Sequence, residues 1–161
     1  MTMRIGFGYD VHAFAAGRPL ILGGVTIPFD IGLSGHSDAD AVIHAIVDAL
    51  LGAAALGDIG QHFPSSDERW KNQPGSVFLD YTYQLLSEQH CVINNIDATI
   101  VAERPKFAPH VQAMRTHIAE HLHLVLDKVS IKATTTDGLG FAGRKEGIAC
   151  YAVALLEQEH T

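Results

Sequence analysis

Asp10 and His12, in Gly8-Tyr9-Asp10-Val11-His12, and His44, closing Ser37-Asp38-Ala39-Asp40-Ala41-Val42-Ile43-His44, supply one carboxylate and two imidazoles. That donor set suits zinc, and three protein ligands leave a fourth position open for chemistry or substrate. Structural zinc sites are usually closed by four. In an extended segment residues i and i+2 share a face, so Asp10 and His12 can point together while Val11 turns inward. His44 must then arrive from a helix. A lone histidine on an apolar helix is more often a hydrogen-bonded core residue, so the ligand reading rests on all three together. Asp10-Val11-His12 is placed at the mouth of a strand, where ligand sites gather in α/β folds. Asp48, one turn past His44, reads equally as an acceptor orienting a ring and as a surface carboxylate.

Three further segments suit phosphate. Thr134-Thr135-Thr136 offers hydroxyls and backbone N–H groups at a strand end, and Asp137 adds a hard oxygen ligand for Mg²⁺. Arg104-Pro105-Lys106 sets two cations around a rigid turn, and residues 138–144 form a glycine-rich loop with Phe141 and Arg144. Taken singly these are a β-rich strand end, an exposed basic turn and an ordinary glycine turn. The glycine loop lacks the P-loop pattern. The chain also has no GxSxG elbow, HExxH, paired cysteine nucleophile or dinucleotide fingerprint. Metal and phosphate groups without a protein nucleophile imply a substrate that carries its own. Phosphoryl transfer allows this, because it depends on positioning and charge stabilisation.

The elements holding these groups follow from patterning. At 161 residues, 47% hydrophobic and 18% charged, the chain reads as one α/β domain spanning 1–161. Strands are expected at 3–9, 20–22, 25–27, 92–101, 129–133 and 147–156, the last so apolar that it is central or buried at a subunit contact. Helices are expected from Ser37 or Asp38 as cap through Leu51, from Ser76 as cap to 90, and over 108–124. Asp40, His44 and Asp48 make a polar stripe on the first.

A net charge of −7 argues against nucleic acid and anionic membranes. Cys91 and Cys150 read as small core residues of a reducing compartment, and no leader or membrane-length apolar run is evident, so the chain reads as cytosolic. His117 and His121, spaced i, i+4, are read with His123 as a solvated helix face rather than a second metal site.

Taken together these motifs resemble the 2-C-methyl-D-erythritol 2,4-cyclodiphosphate synthase family. The likeness continues through His36-Ser37-Asp38-Ala39-Asp40, Asp48-Ala49-Leu50-Leu51-Gly52-Ala53, Gly57-Asp58-Ile59-Gly60, Pro105-Lys106, Lys132 to Thr136 and Gly140-Phe141 to Ala149. The resemblance implies a mixed β-sheet packed on one side by helices (α+β-like), and a homotrimer with active sites between subunits. It implies cyclisation of 4-diphosphocytidyl-2-C-methyl-D-erythritol 2-phosphate with release of CMP, in the non-mevalonate isoprenoid pathway. Asp10, His12 and His44 are then ligands to one zinc per site, and His36 and Thr135 stabilise the transition state.

By the same resemblance, substrate contacts fall on Asp10, Val11, His12, His36, Ser37, Asp58, Ile59, Gly60, Phe63, Pro64, Ser65, Ser66 and Asp67. They continue on Ala102, Glu103, Arg104, Pro105, Lys106, Phe107, Ala108, Thr134, Thr135, Thr136, Asp137, Phe141 and Arg144. A second ion, Mg²⁺ or Mn²⁺, bridges the diphosphate. Two departures stand out: Asp137 where the family usually has Glu, and Ser65 where it tends to have Asp. Two rival readings accompany this one. The first is a zinc phosphohydrolase acting on a nucleotide diphosphate. The second is a non-catalytic trimer binding nucleotides or an isoprenoid along an axis near Arg144 and Glu146.

Overall fold

Strand β1 (Thr2–Ala15) and strand β7 (Gly147–Gln158) pair antiparallel from Thr2↔Gln158 to Ala13↔Gly147. In this computed structural model, which describes residues 1–159, that pair is the spine of a five-stranded sheet. The last two residues of the expected 1–161 domain lie outside the described residues. Strand β4 (Gly32–Leu33) flanks β1, while β5 (Cys91–Val101) and β6 (Val129–Thr134) lie beyond β7. β5 and β6 run parallel and the other pairs antiparallel, so the sheet is mixed. A hairpin of β2 (Leu20–Leu22) and β3 (Val25–Ile27) forms a separate two-stranded sheet.

Side-chain alternation gives the main sheet two unlike faces. Along β7, Ile148, Cys150, Ala152, Ala154 and Leu156 are buried, while Tyr151 and Val153 are exposed. Helix α1 (Ala41–Ala53) covers the buried face, with α3 (Gly75–Glu88) and α4 (Val111–His121) completing the helical layer. The far face presents Met3, Ile5, Phe7, Tyr9 and Val11 from β1 to solvent. The expected helices-on-one-side mixed sheet is therefore the observed α+β arrangement. β7 is central in the sheet, as its apolar run suggests, but only one of its faces is covered.

Why α1 sits so close to β1 is written in small residues. Gly6 and Gly8 face the helix, and a Cβ on either would collide with the carbonyl of Ala49 or Ala45. Ala41, Ala45, Ala49 and Ala53 repeat every four residues, so the helix brings backbone and methyl groups to the strand. Asp40, fully buried, caps α1 by accepting the Ile43 N–H, and accepts the Gly23 and Gly24 N–H groups of the hairpin turn. Burial pushes its carboxyl up to about 6.

Several expected boundaries move. The cap of α1 is Asp40, not Ser37 or Asp38, because those side chains bond elsewhere: Ser37 to His44, Asp38 to the Gly75 N–H. Pro74, not Ser76, precedes α3, and it makes no side-chain cap. A 3₁₀ turn over Ala108–His110 delays α4 to Val111. β1 runs six residues past its expected end, so Asp10 and His12 lie within a strand, not at its mouth. Val11 is 41% exposed on the uncovered face, correcting the expectation that it turns inward.

The polar stripe on α1 is also redistributed, since Asp40 and His44 are both buried. His117 and His121 are half-buried rather than solvated. His117 packs on Gly24, and His121 Nδ1 lies 2.7 Å from Asp80. Both cysteines are buried free thiols, as expected.

Gly8→Ala should lower unfolding free energy by about 2 kcal/mol or more, since the intruding methyl meets backbone rather than a movable side chain. Urea titration checks this; an unchanged midpoint would contradict the packing described.

Candidate active site

Asp10 and His12 project from the helix-facing side of β1, and the α1 contact at Gly6 and Gly8 brings His44 over them. Asp10 Oδ2 lies 2.7 Å from His12 Nε2 and 3.2 Å from His44 Nδ1, and those two nitrogens are 3.3 Å apart. Three ligand atoms thus converge on one point, in an arrangement that could hold a metal ion. The other ring nitrogens are engaged behind them. His12 Nδ1 donates to the Ser34 carbonyl at 2.8 Å, and His44 Nε2 lies 3.1 Å from Ser37 Oγ. Such outer contacts fix ring orientation and leave the inner nitrogens for a ligand.

The charges support a cation there. Burial works against the Asp10 carboxylate, but hydrogen bonds from His12 and then His44 outweigh it and lower its pKa. Burial likewise opposes a charged His12, yet the Asp10 contact overrides it and raises the imidazole above its usual 6.5.

Beside the cluster opens a cavity of about 230 Å³, lined by His12, His36, Ser37, His44, Ile59, Gly60, Phe63, Ser65, Trp70 and Phe78. Arg18 ties down one wall by donating to the carbonyls of Gly35 and Ser37 on either side of His36. His36 Nε2 donates to the Asp67 carbonyl at 3.2 Å. Asp58 caps the short helix α2 (Ile59–His62), and Asp48 accepts the Ile59 N–H. Asp48 therefore anchors the loop, and neither orients a ring nor stands free on the surface.

Trp70 and Phe78 escaped the sequence reading, although they pack with Phe63 at 5.0 and 4.6 Å between ring centroids to form the apolar floor. The lone Trp, a few residues past Phe63-Pro64, was the available signal. Asp67 spends its carboxylate on Arg69, and Ser66 is exposed.

A second cavity of about 270 Å³ is lined by Ala102, Glu103, Pro105, Lys106, Phe107, Ala108, Ala133, Thr134 and Thr135. Arg104 instead lines a separate hollow with Phe14, Phe29, Asp30, Ile31, Glu103 and Lys145. Phe141 lies on helix α5 (Gly140–Gly143), and Arg144, just past it, pairs with Glu146 at 3.0 Å; both lie outside the two cavities. Asp137 is exposed on the loop after β6.

Val11 pairs with Ala149, Ala149 with Val101, and Val101 with Thr134. The metal-type cluster and the threonine loop are therefore three strands apart, roughly 14 Å at ordinary strand spacing. One chain does not bring His44 and Thr135 together.

Because a metal must displace the His12 proton, and that imidazole is raised above its usual 6.5, retention of a divalent metal in equilibrium dialysis should already weaken as pH falls toward 6.5 and weaken further below it. Ser37→Ala should weaken it about tenfold by freeing the His44 ring, and His44→Ala should lose it at every pH. Retention independent of both pH and His44 would place the metal elsewhere.

Comparison with known proteins agrees with this geometry. The YgbB family profile matches residues 3–157. The chain is 57% identical over 157 residues to a 2-C-methyl-D-erythritol 2,4-cyclodiphosphate synthase of Geobacter sulfurreducens, covering 98% of this chain and 100% of the relative. It is 54% identical to that of Salinibacter ruber, covering 96% and 99%. Among solved structures it resembles IspF of Plasmodium falciparum in a CDP complex, at TM-score 0.86 and 33% identity, covering 98% and 97%. It also resembles the bifunctional IspDF of Campylobacter jejuni at TM-score 0.94 and 42% identity, covering 98% of this chain but only 43% of that longer one. With its sequence matched almost end to end and three metal-type ligands converging at a cavity, this chain belongs to the YgbB family.

Proposed function

We propose that this protein is a 2-C-methyl-D-erythritol 2,4-cyclodiphosphate synthase, a CMP-forming phosphorus–oxygen lyase of the non-mevalonate isoprenoid pathway. The observation that carries the reading is the convergence of Asp10, His12 and His44 beside a cavity, in a chain alike throughout its length to proteins of that name. In the reaction, a 2-phosphate oxygen of 4-diphosphocytidyl-2-C-methyl-D-erythritol 2-phosphate attacks the β-phosphorus, and the P–O bond to CMP breaks. That oxygen is already anionic near neutral pH, so no general base is needed.

When bound, zinc at Asp10, His12 and His44 and a Mg²⁺ or Mn²⁺ ion at Asp137 supply positive charge that neutralises the crowded diphosphate. The protein's own groups position the rest. Gly60, Ile59 and Asp58 present the α2 loop to the methylerythritol half. Phe63, Trp70 and Phe78 exclude water beneath it. His36 and Thr135 stabilise the charge developing on the phosphoryl oxygens. Pro105, Lys106 and Ala108 hold the cytidine half in the second cavity.

The three-strand separation of the two halves supports a shared site, in which one copy brings the metal ligands and its neighbour the Thr135 loop. The exposed apolar face of β1 and β7 is suited to burial between three such copies. A working place in the cytoplasm fits the reading, and no helix among the described residues is long and apolar enough to cross a membrane.

Purified protein given the cytidyl substrate and Mg²⁺ should release CMP, and phosphorus NMR should show a cyclic diphosphate. Linear phosphates would favour the phosphohydrolase, and absence of CMP a non-catalytic binder. His44→Ala and Thr135→Ala should each lose most activity. Unfolding and reassembling them together should restore a fraction of it, since mixed assemblies contain intact sites. No recovery from verified mixed assemblies would contradict the shared site.

A further inference from the structure

Glu103 leaves the end of β5 and reaches the loop that follows β6. There a single carboxylate oxygen collects several donors. Its Oε1 accepts the Thr136 N–H at 3.1 Å and the Gly138 N–H at 3.2 Å, with the Thr136 hydroxyl also 3.2 Å away. That hydroxyl lies 2.6 Å from the Leu139 carbonyl as well, so its one proton serves two acceptors. Asp137 and Gly138 both hold left-handed backbone, at φ 52° and 77°. Alternate N–H groups around such a turn converge into a nest that takes an anion.

Here the anion is the chain's own side chain. Hydrogen bonds from Gly138 and then Thr136 hold the Glu103 carboxyl below its usual range. A left-handed non-glycine residue persists only where its surroundings enforce it, and at Asp137 the contacts on Glu103 join the turn hydrogen bond from the Leu139 N–H to the Thr136 carbonyl, 3.1 Å, in doing so. The Asp137 N–H in turn lies 3.4 Å from Thr135 Oγ1, so the turn carries the position of Thr135 with it.

We propose that Glu103 is a positioning residue for the phosphate-facing turn, not a substrate contact. By filling the nest from within, it sets Thr135 at the second cavity and presents Asp137 to solvent beside it. The two strands β5 and β6 are parallel neighbours, so their ends emerge side by side and one side chain can span them. This gives the acidic residue a purpose in a cavity otherwise suited to phosphate, where a free carboxylate would repel the substrate. The effect on catalysis rests on the synthase reading; the clamp itself does not.

The test compares Glu103→Gln, Glu103→Asp and Glu103→Ala by amide hydrogen exchange at Thr136 and Gly138 and by the kinetics of CMP release. The glutamine amide oxygen still accepts at the same reach, so exchange, kcat and KM should stay within about threefold of the parent. Alanine removes the acceptor: both amides should exchange at least about tenfold faster, and kcat should fall about 30-fold with KM within about threefold. Aspartate, short by one methylene, should fall between. Glutamine as damaging as alanine, or alanine raising KM at unchanged kcat, would overturn the proposal in favour of direct substrate contact. If the parent releases no CMP, the synthase reading falls and exchange alone decides: protection lost in alanine and kept in glutamine upholds the clamp, and equal protection in all overturns it.

Discussion

Helix α1 rests directly on strand β1 because, at Gly6 and Gly8, neither presents more than a methyl group to the other. Gly6 and Gly8 lack side chains, and the alanines at 41, 45, 49 and 53 supply the facing stripe. Any larger group would lift the helix from the sheet, because packed interiors do not absorb an added methylene without shifting. That close approach sets the height of His44 above the strand. An imidazole has limited reach, so it meets Asp10 and His12 at about hydrogen-bond distance only while the helix stays down.

The remaining supports act on the same cluster from other directions. Asp40 anchors the start of α1 to the β2–β3 hairpin. Ser34 and Ser37 turn the two imidazoles, and Arg18 braces the wall that carries His36. These contacts are mostly side chain to backbone. They hold loops in place without drawing on the metal-facing atoms, which leaves the cluster short of donors and poised for a cation.

The sheet then divides labour. The strand order puts β7 and β5 between β1 and β6, so the metal-type cluster and the threonine loop lie three strands apart. On the proposed reading, a diphosphate bridging the two is gripped by more than one copy of the chain. On that reading the apolar outer face of the same sheet is the surface suited to such association, and the Glu103 turn is the part of the second half set in advance for the diphosphate.

Much of this was legible in the residues themselves. Alternation marked the strands and their apolar faces, and the Asp10, His12, His44 donor set announced a metal-type centre, since ligand chemistry depends on residue type more than on context. Caps were misread because Ser37, Asp38 and Ser76 are all competent cap formers, and which one caps depends on partners distant in sequence. Asp48 was ambiguous, and Glu103 was placed among the substrate contacts, for the same reason: a carboxylate declares its charge in the sequence but not which N–H groups fold against it. Trp70 and Phe78 join Phe63 only after α3 docks.

Residue chemistry and local periodicity thus determined most of the elements and the metal-type donor set, and the resemblance of whole motifs pointed to the family. The tertiary structure alone decided which acids position loops, which way Val11 points, and that the metal-type cluster and the threonine loop lie three strands apart, because each depends on long-range packing that no local pattern encodes.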